Sequence, residues 1–185
     1  GGTITRTWTY TDACGNAATA TQLITADDDV NPTASNPAPI AVQCITDVPA
    51  PDVTVVTDEA DNCTAVPAVA NVSDVSDHNT YPETITRTYS VTDDCNNSIT
   101  VTQTITVHDT QDPVMAAAPA DVTVDCISDI PAMVDLAWTD NCDGNGIVTG
   151  TDGSLVGGAC GGTITRTWTY TDACGNAATA TQLIT

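Results

Sequence analysis

The sequence predicts an all-β protein made of tandem domains, and three observations lead to this prediction. Residues 1–25 and 161–185 are identical, and a weaker copy of the same segment begins at Ile85. The copies are spaced about 80 residues apart, which is typical of an array of small repeated domains. Threonine supplies 35 of the 185 residues and often alternates with another residue type, whereas helical periodicity is absent. Period-two alternation rich in β-branched residues is typical of half-buried antiparallel strands.

The clearest predicted elements are the two long strands that end each repeat. The first covers 163–171, where isoleucine, arginine, tryptophan and tyrosine share one face and threonine fills the other. The second is clearest over 98–107, where isoleucine, valine and glutamine alternate with threonine. The loops that join such strands, 171–176 and 92–97, are rich in Asp, Asn and Gly, which favour tight turns. We therefore expect a hairpin at the end of every repeat.

Each repeat opens with three further features that recur at matching positions. They are an opening strand (Ile40–Cys44; Val122–Cys126), a proline-containing corner (47–49; 129–131) and an Asp-Asn-Cys loop after a second strand (61–63; 140–142). About seven short strands in 80 residues, with turn signals between them, fit an immunoglobulin-like β-sandwich. The full prediction is thus a linear array of tandem immunoglobulin-like β-sandwich domains.

The repeat period divides the chain into three segments. Residues 1–30 are expected to be the last strands of a preceding repeat with its linker, and 31–112 and 113–185 one immunoglobulin-like repeat each. Because the first and last 25 residues coincide, we expect the sequence to be a window of a longer array of domains in which neighbouring copies meet head to tail.

The composition excludes several classes of partner. The chain has 24 acidic and 3 basic residues, for a net charge of -21. Such a surface repels nucleic acid and anionic lipid, so neither is expected as a partner. No segment approaches the 18 apolar residues that would indicate membrane insertion. Of the acids, 22 are Asp and only 2 are Glu, which favours turns and the ligation of hard cations over a general solubilising role.

The Asp and Asn residues concentrate in loops that the sandwich topology brings to one pole, where the incoming linker arrives. Converging carboxylate and amide oxygens without Lys or Arg suit calcium (Ca2+), which takes six to eight oxygen ligands. Magnesium is less suitable because it requires stricter octahedral geometry. The alternative is that these residues only form turns. The candidate ligands are Asp28, Asp29, Asn31, Asp61, Asn62, Asp93 and Asn97 at one junction, and Asp109, Asp112, Asp140, Asn141, Asp172 and Asn176 at the next.

These motifs together resemble a known family. The Asp-Asn-Cys loop, the Ile-Thr-Arg-Thr-Trp strand, the Thr-Asp-Ala-Cys-Gly-Asn loop and the Asp-Thr-Gln-Asp-Pro linker are similar to HYR-type and related bacterial immunoglobulin-like repeats. Such repeats occur in giant surface adhesins, notably gliding-motility adhesins of Bacteroidota. The resemblance covers essentially the whole chain and implies a secreted, rod-like and often calcium-rigidified stalk. Asn96 in place of the usual Gly and a missing cysteine in the middle repeat depart from the pattern.

Eight cysteines at recurring positions indicate disulfides and an oxidising, extracellular setting. Four cysteines in one repeat allow three connectivities, and the predicted poles favour Cys142–Cys174 and Cys126–Cys160. Analogy then predicts Cys63–Cys95 and leaves Cys44 over. An odd thiol suggests intermolecular bonding, and a buried unpaired cysteine is the alternative.

The arginines and tryptophans of the repeats are expected to have structural roles. Each repeat has one arginine (Arg6, Arg87, Arg166), expected to stack on the neighbouring aromatic ring and to bond the glutamine of the following strand. The tryptophans Trp8, Trp138 and Trp168 are expected in the core.

We find no nucleophile–base pair, phosphate loop or histidine metal motif, so the sequence does not predict an enzyme. It predicts an extracellular, cell-surface structural repeat: a calcium-stiffened, disulfide-stapled stalk or filament of a bacterial adhesin. Its partners would be neighbouring copies of the repeat, with lateral association if calcium bridges the acidic surfaces. The alternative is an adhesion module that binds a glycan or protein through the central segments, which differ between repeats (71–81 and 150–158). A halophilic acid surface is a third possibility, but the final strands carry threonine and almost no acid on their outer face.

Overall fold

The computed structural model describes residues 1–80, 82–158 and 161–185, and over these residues the chain is all-β, as predicted. Regular structure in the described part consists of strands and three short 3-10 turns, without an α-helix. The strands are β1 Gly2–Thr11, β2 Ala17–Ala26, β3 Ile40–Val42, β4 Ala68–Ser76, β5 Glu83–Thr92, β6 Ser98–Val107, β7 Val114–Met115, β8 Asp135–Asp140, β9 Gly144–Thr149, β10 Thr151–Asp152, β11 Val156–Gly158, β12 Gly161–Thr171 and β13 Ala177–Ile184.

The long strands follow the sequence pattern closely, and the opening strands do so less well. Strand β6 has the predicted bounds, and β12 begins two residues before the predicted 163. Strand β3 stops at Val42, because Cys44 begins a 3-10 turn at Ile45–Asp47. The second opening strand, expected from Val122, is reduced to one parallel bridge between Val122 and Ile184.

The strands form four sheets of antiparallel neighbours with one parallel addition. Strands β1 and β2 form a two-stranded hairpin, and β7, β8 and β9 follow in order in a three-stranded sheet. A four-stranded sheet has the order β3-β6-β5-β4, in which β3 runs parallel to β6. In the last sheet β12 is central and pairs with β10, β11 and β13. This packing of antiparallel sheets is consistent with immunoglobulin-like β-sandwich domains.

The chain forms two compact units by its internal contacts. The first unit comprises Gly1–Ala38, Pro51–Val75 and Thr86–Gln103, and the second comprises Pro39–Ala50, Ser76–Ile85 and Thr104–Thr185. The repeat boundaries that the sequence suggests, after residues 30 and 112, stay a prediction.

Each unit has its own small apolar core. In the first unit Val56, Tyr89, Val91 and Val101 are buried against one another. In the second unit Ile85, Ile105 and Val107 form a cluster, with Ile40, Val42 and Val48 packed on it. Full burial of one such side chain contributes about 1.5–3 kcal/mol. These β-branched residues alternate with exposed threonines along the strands, so the sequence pattern directly specifies the core face.

The three tryptophans have different environments. Trp168 is fully buried, and its indole N–H donates to the carbonyl of Val134 at 2.8 Å. Trp138 is half-buried and stacks on Tyr170, with 3.6 Å between the ring centroids. Trp8 is 50% exposed. The expected core position is therefore correct for Trp168 and wrong for Trp8, because β1 pairs with β2 alone in its sheet.

Arg87 and Arg166 have structural roles, and the partner of each is a carboxylate. Buried Arg166 donates to the carboxylate of Asp152 at 2.9 Å and to the carbonyl of Pro131 at 3.0 Å. Arg87 is paired with Asp74 in the same way, with both contacts at 2.8–2.9 Å. The expected bond between Arg166 and Gln182 is wrong: the Gln182 amide donates to the carbonyl of Ala120 instead. A bidentate carboxylate satisfies a buried guanidinium better than a neutral amide does.

Candidate metal centre

Two groups of acidic and amide side chains recur at equivalent positions. The Asp28 cluster consists of Asp28, Asp61, Asn62, Asp93 and Asn97 and lies in the first unit. The Asp109 cluster consists of Asp109, Asp140, Asn141, Asp172 and Asn176 and lies in the second unit. In each cluster one Asp comes from the linker, and the other residues come from two loops.

The carboxylates of the Asp28 cluster converge. One oxygen from each of Asp28, Asp61 and Asp93 lies within 4.8 Å of the others. Two amides bind the linker residue to the loops: Asn62 Nδ2 donates to Asp28 Oδ1 at 3.2 Å, and Asn97 Nδ2 donates to the Asp28 carbonyl at 3.0 Å. The linker segment is thus attached to both loops through Asp28.

The loop that follows β5 is formed by hydrogen bonds of its own aspartate. Asp93 Oδ1 accepts from the backbone N–H groups of Cys95 and Asn97, both at 2.8 Å, and Asp93 Oδ2 accepts from Asn97 Nδ2 at 2.7 Å. Asn96 has a φ of 72°, a left-handed conformation that Asn tolerates better than most residues. Gly175 has the equivalent place in the last loop, with a φ of 89°. The local sequence therefore determines this loop.

The Asp-Asn-Cys loop is formed in the same manner. Asp61 Oδ2 accepts from the N–H groups of Thr64 and Cys63, both at 2.8 Å. These bonds, that from Thr64 first, lower the pKa of Asp61 below its usual value, so the side chain stays anionic near neutral pH.

The Asp109 cluster repeats these contacts nearly atom for atom. Asn141 Nδ2 donates to Asp109 Oδ1 at 3.1 Å, and Asn176 Nδ2 donates to the Asp109 carbonyl at 3.2 Å. Asp140 Oδ1 accepts from the N–H of Cys142 at 2.8 Å. Asp109 and Asp172 are both buried. The Asn176 amide joins them, because it donates to the carbonyl of Asp109 and to the carboxylate of Asp172. Oxygens of Asp109 and Asp140 and the sulfur of Cys142 lie within 4.8 Å of one another.

Several carboxylate oxygens in the clusters have no partner. Asp28 Oδ2, Asp61 Oδ1 and Asp140 Oδ2 are buried without a hydrogen bond among the described residues. In Asp61 and Asp140 the other oxygen closes the loop, so each side chain has one oxygen committed to folding and one available. The ion pairs found in the described ranges, Arg87–Asp74 and Arg166–Asp152, lie outside the clusters. A buried anionic oxygen without a partner is costly, and a hard cation would satisfy it.

The structure brings together ten of the residues that the sequence singled out as metal ligands. Asp29, Asn31 and Asp112 are the exceptions: all three are exposed, and no contact within the described part of the chain joins them to a cluster. Their neighbours Asp28 and Asp109 supply the linker carboxylate instead.

The disulfide pairing differs from the expected one. Cys142 is bonded to Cys44, with 5.2 Å between their Cα atoms, so the expected Cys142–Cys174 bridge is wrong. Cys44 follows β3, which brings it beside the Asp-Asn-Cys loop: Asn141 Nδ2 lies 3.5 Å from the Cys44 sulfur and 3.0 Å from that of Cys142. A disulfide sulfur is not available as a metal ligand, which leaves oxygens as the donors of the Asp109 cluster.

The other two expected bridges have different outcomes. Cys63 and Cys95 keep free thiols, so the expected bond between them is not formed. The loop that holds Cys95 is already closed by the hydrogen bonds of Asp93 and needs no disulfide. Cys160 lies outside the described residues, and with it the expected Cys126–Cys160 bridge.

One contact between the two loops was missed at the level of sequence. Asp143 Oδ2 accepts from Tyr170 Oη at 3.0 Å and from the N–H of Ala173 at 2.8 Å. Loss of water contact, followed by this hydrogen bond, raises the pKa of Tyr170 to about 12. In the preceding repeat Thr64 has the same role, because its hydroxyl accepts from the N–H of Asp94 at 3.0 Å. Thr64 and Asp143 differ in type and share only their position directly after Cys63 and Cys142. That shared position is the only signal in the sequence that could have indicated this contact.

The comparison with protein families agrees with this structure. Residues 114–185 match the family model described as a HYR-like domain with 4 cysteines. This segment is similar to HYR-like domains. It contains Cys126, Cys142, Cys160 and Cys174, the number of cysteines in the family description. No curated protein matches the chain significantly.

The HYR-like match describes the class of domain that residues 114–185 resemble. The HYR-like domain is an extracellular, adhesion-related β domain and does not belong to an enzyme family. The disulfide fits an oxidising location outside the cell. In the part of the chain that the structure describes, no helix has the length and apolar character needed to cross a membrane.

Proposed function

We propose that this protein is a calcium-stiffened structural repeat in the stalk or filament of a bacterial surface adhesin. The observation that supports this proposal most directly is the pair of equivalent clusters: two buried carboxylate oxygens in the Asp28 cluster and one in the Asp109 cluster lack a partner among the described residues. Formation of the Asp-Asn-Cys loop uses one oxygen of Asp61 and one of Asp140, and the other oxygen of each, Asp61 Oδ1 and Asp140 Oδ2, is left for a ligand in both repeats.

The clusters have the donor chemistry that calcium requires. Asp28, Asp61 and Asp93 would hold one ion, and Asp109, Asp140 and Asp172 would hold the other, with Asn62, Asn97, Asn141 and Asn176 as nearby amide groups. Calcium accepts several carboxylate and amide oxygens in variable geometry, whereas magnesium requires a near-ideal octahedron and retains more water. The chain contains no lysine, and Arg87 and Arg166 are paired with Asp74 and Asp152 outside the clusters. A bound cation would therefore neutralise the carboxylates of the clusters.

Stiffening follows from the origin of the ligands. Asp28 and Asp109 belong to the segments that precede Pro32 and Pro113, whereas their partners belong to the loops of the following repeat. Without a cation, the converging carboxylates, three in the Asp28 cluster and two in the Asp109 cluster, repel one another and oppose the docking of the linker. With a cation, the repulsion becomes attraction and the linker is held against the loops. Repetition of this joint along an array of neighbouring copies would make an extended and rigid rod.

Calcium would also reduce the charge of -21, which opposes contact between copies. Head-to-tail neighbours, and lateral neighbours bridged by calcium, are the partners that this proposal implies.

The test is calcium titration of the full chain by calorimetry, followed by thermal unfolding with calcium, with magnesium and with chelator. A ligand present at 100 times its Kd stabilises the folded state by about 2.7 kcal/mol for each site. We expect a large rise in Tm with calcium and a smaller one with magnesium. Small-angle scattering should show a longer and stiffer particle when calcium is bound.

Matched variants make this test specific. Asp109→Asn and Asp28→Asn should each remove one site and part of the calcium-dependent rise in Tm. Asp12→Asn is the control, because Asp12 closes its own loop as Asp172 does but lies outside both clusters. No binding at millimolar calcium, or an equal loss in Asp12→Asn, would refute the metal mechanism.

A further inference from the structure

The Cys44–Cys142 bridge connects two sequence repeats, 31–112 and 113–185, and this bond has a consequence for Cys63 and Cys126. Both residues are exposed and have free thiols. We propose that Cys126 forms a disulfide with the residue at the Cys63 position of a following repeat, so that successive repeats are covalently cross-linked beside their peptide linker. The inference depends on the proposed array of repeats and does not depend on calcium.

Cys126 has the local structure of Cys44. Both are extended, with φ and ψ of -111° and 153° at Cys44 and -137° and 154° at Cys126. Each stands directly before a 3-10 turn, Ile45–Asp47 or Ile127–Asp129, and each accepts a hydrogen bond from the aspartate at the end of that turn, at 3.0 and 2.9 Å. Each also follows a short parallel pairing with the last strand of its repeat. Cys126 is therefore presented as the bridged Cys44 is.

Cys63 has the local structure of Cys142. The N–H of Cys63 donates to Asp61 at 2.8 Å, and the N–H of Cys142 donates to Asp140 at 2.8 Å. The preceding asparagine amide lies 3.1 Å from the Cys63 sulfur, against 3.0 Å at Cys142. The two halves of the observed bridge thus recur with free thiols, one in each repeat.

The spacing along the chain also matches. Cys44 and Cys142 are separated by 98 residues. Because residues 161–185 repeat residues 1–25, the sequence can be continued in register with a displacement of 160. If Thr185 is followed by the residues that follow Thr25, the next residue of the Cys63 type lies 97 residues after Cys126 (63 + 160 - 126).

The surroundings of Cys126 indicate where a following segment would pack. A cavity of about 530 Å3 lies beside Cys126, and its lining is part apolar (Ile127, Ile164, Ile184) and part polar or glycine (Ser128, Gly158, Gly161). In the preceding repeat the equivalents of the last two, Ile85 and Ile105, are covered by Val107 in a closed cluster. Val107 is two residues after Ile105, and its counterpart would follow Thr185. In an array of such repeats, the residue at the Val107 position would therefore lie in this cavity next to Cys126.

The bond forms by thiol–disulfide exchange with an external disulfide such as oxidised glutathione. The thiolate of one cysteine attacks the reagent and displaces one glutathione thiol, and the second cysteine then attacks the mixed disulfide and displaces the other. Two protein thiols and one disulfide reagent thus yield one protein disulfide and two reagent thiols.

The experiment uses a double-length chain in which Thr185 is followed by Ala26 of a second copy, reproducing the natural Thr25–Ala26 bond. Cys63→Ser in the first copy and Cys126→Ser in the second leave one cysteine of each kind. After oxidation with glutathione and alkylation of free thiols, peptides are mapped by mass spectrometry. We expect Cys126 of the first copy to be linked to Cys63 of the second and alkylation of both to be lost.

The controls separate this inference from the calcium proposal. Cys126→Ser in the first copy should restore alkylation of Cys63 in the second, whereas Cys14→Ser should leave the bridge intact. Recovery of Cys126 bonded to Cys160 of its own repeat, or alkylation of both Cys126 and Cys63, would overturn the inference. Calcium binding measured on the same chain would remain if only the bridge fails, and the bridge would remain if only calcium binding fails.

Discussion

Residues 1–25 and 161–185 have identical sequences, and their structures show what a local sequence does and does not determine. Both segments form a hairpin with the same register, in which Arg6 is opposite Gln22 and Arg166 is opposite Gln182. Their environments differ: Trp8 is 50% exposed and Trp168 is fully buried. Strand order and register therefore follow from the segment itself, whereas burial follows from the elements packed against it.

The loops that connect the strands of the two hairpins also share their internal hydrogen bonds and differ in their surroundings. Asp12 accepts from the N–H of Asn16 at 2.8 Å, and Asp172 accepts from the N–H of Asn176 at 2.8 Å. Only the second loop meets a linker aspartate, because Asn176 also donates to the carbonyl of Asp109. The loop's own hydrogen bonds are therefore present with and without a linker aspartate, whereas the cluster requires the linker of a preceding repeat. The first segment is thus a sequence-matched control for every variant of the second.

The largest contrast is expected at the tryptophans. Trp168→Ala removes a fully buried indole that also donates to the carbonyl of Val134, and it should cost about 3–5 kcal/mol of stability. Trp8→Ala should change stability by less than about 0.5 kcal/mol, as exposed substitutions generally do. Urea unfolding followed by circular dichroism measures both values. Equal losses in the two variants would show that the hairpins share one environment, contrary to this structure.

The second contrast concerns the arginines. Arg166→Met removes a buried guanidinium that binds Asp152, and because Asp152 is about one-third exposed and can be rehydrated, the loss should be about 2 kcal/mol. Arg6 lies over the Trp8 ring at 5.9 Å on an exposed strand, so Arg6→Met should cost well under about 1 kcal/mol.

This contrast also depends on pH. The hydrogen bond from Arg166, together with its charge, lowers the pKa of Asp152 in the folded state. A lowered folded-state pKa contributes stability above the unfolded value, about 3.9, and that stability is lost as the pH falls below it. The difference between wild type and Arg166→Met should therefore shrink between pH 6 and pH 2 (both about two units from that value). A difference that stays constant with pH would contradict the ion pair.

Local features of the fold could be predicted from the sequence, whereas contacts that depend on other elements could not. Strand β6 was predicted with its observed bounds because Ile, Val and Gln alternate with Thr without interruption. Asp61 was expected beside Asp93, and Asp140 beside Asp172, because antiparallel topology brings the loops of each repeat to one pole. These inferences use only local patterns and strand direction.

The contacts that the sequence did not reveal have no local signature, whether the residues are near or distant in sequence. Cys142 is bonded to Cys44, which is 98 residues away in sequence and was left over when each repeat was considered separately. Asp152 and Asp74 are single acids among many, and nothing near them marks a pairing with Arg166 or Arg87. The exposure of Trp8 depends on what packs against its strand, which identical letters cannot specify.

The smallest contrast is expected at the tyrosines of the two hairpins. Tyr170 stacks on Trp138 and donates to Asp143, and its loss of water contact raises its pKa to about 12, against about 10 in model peptides. A raised folded-state pKa contributes stability below the unfolded value, and that stability is lost as the pH rises from about 10 towards 12. Tyr10 is 73% exposed on the matching strand and has neither contact in the described structure. A titration of tyrosinate absorbance should therefore show a late step that Tyr170→Phe removes and Tyr10→Phe retains. If Tyr10→Phe removed the late step instead, the contact between the two loops through Asp143 would be refuted. That contact is the reason why the loop at 171–176, which contains Asp172, and the Asp-Asn-Cys loop at 140–142 stay side by side in the absence of a cation.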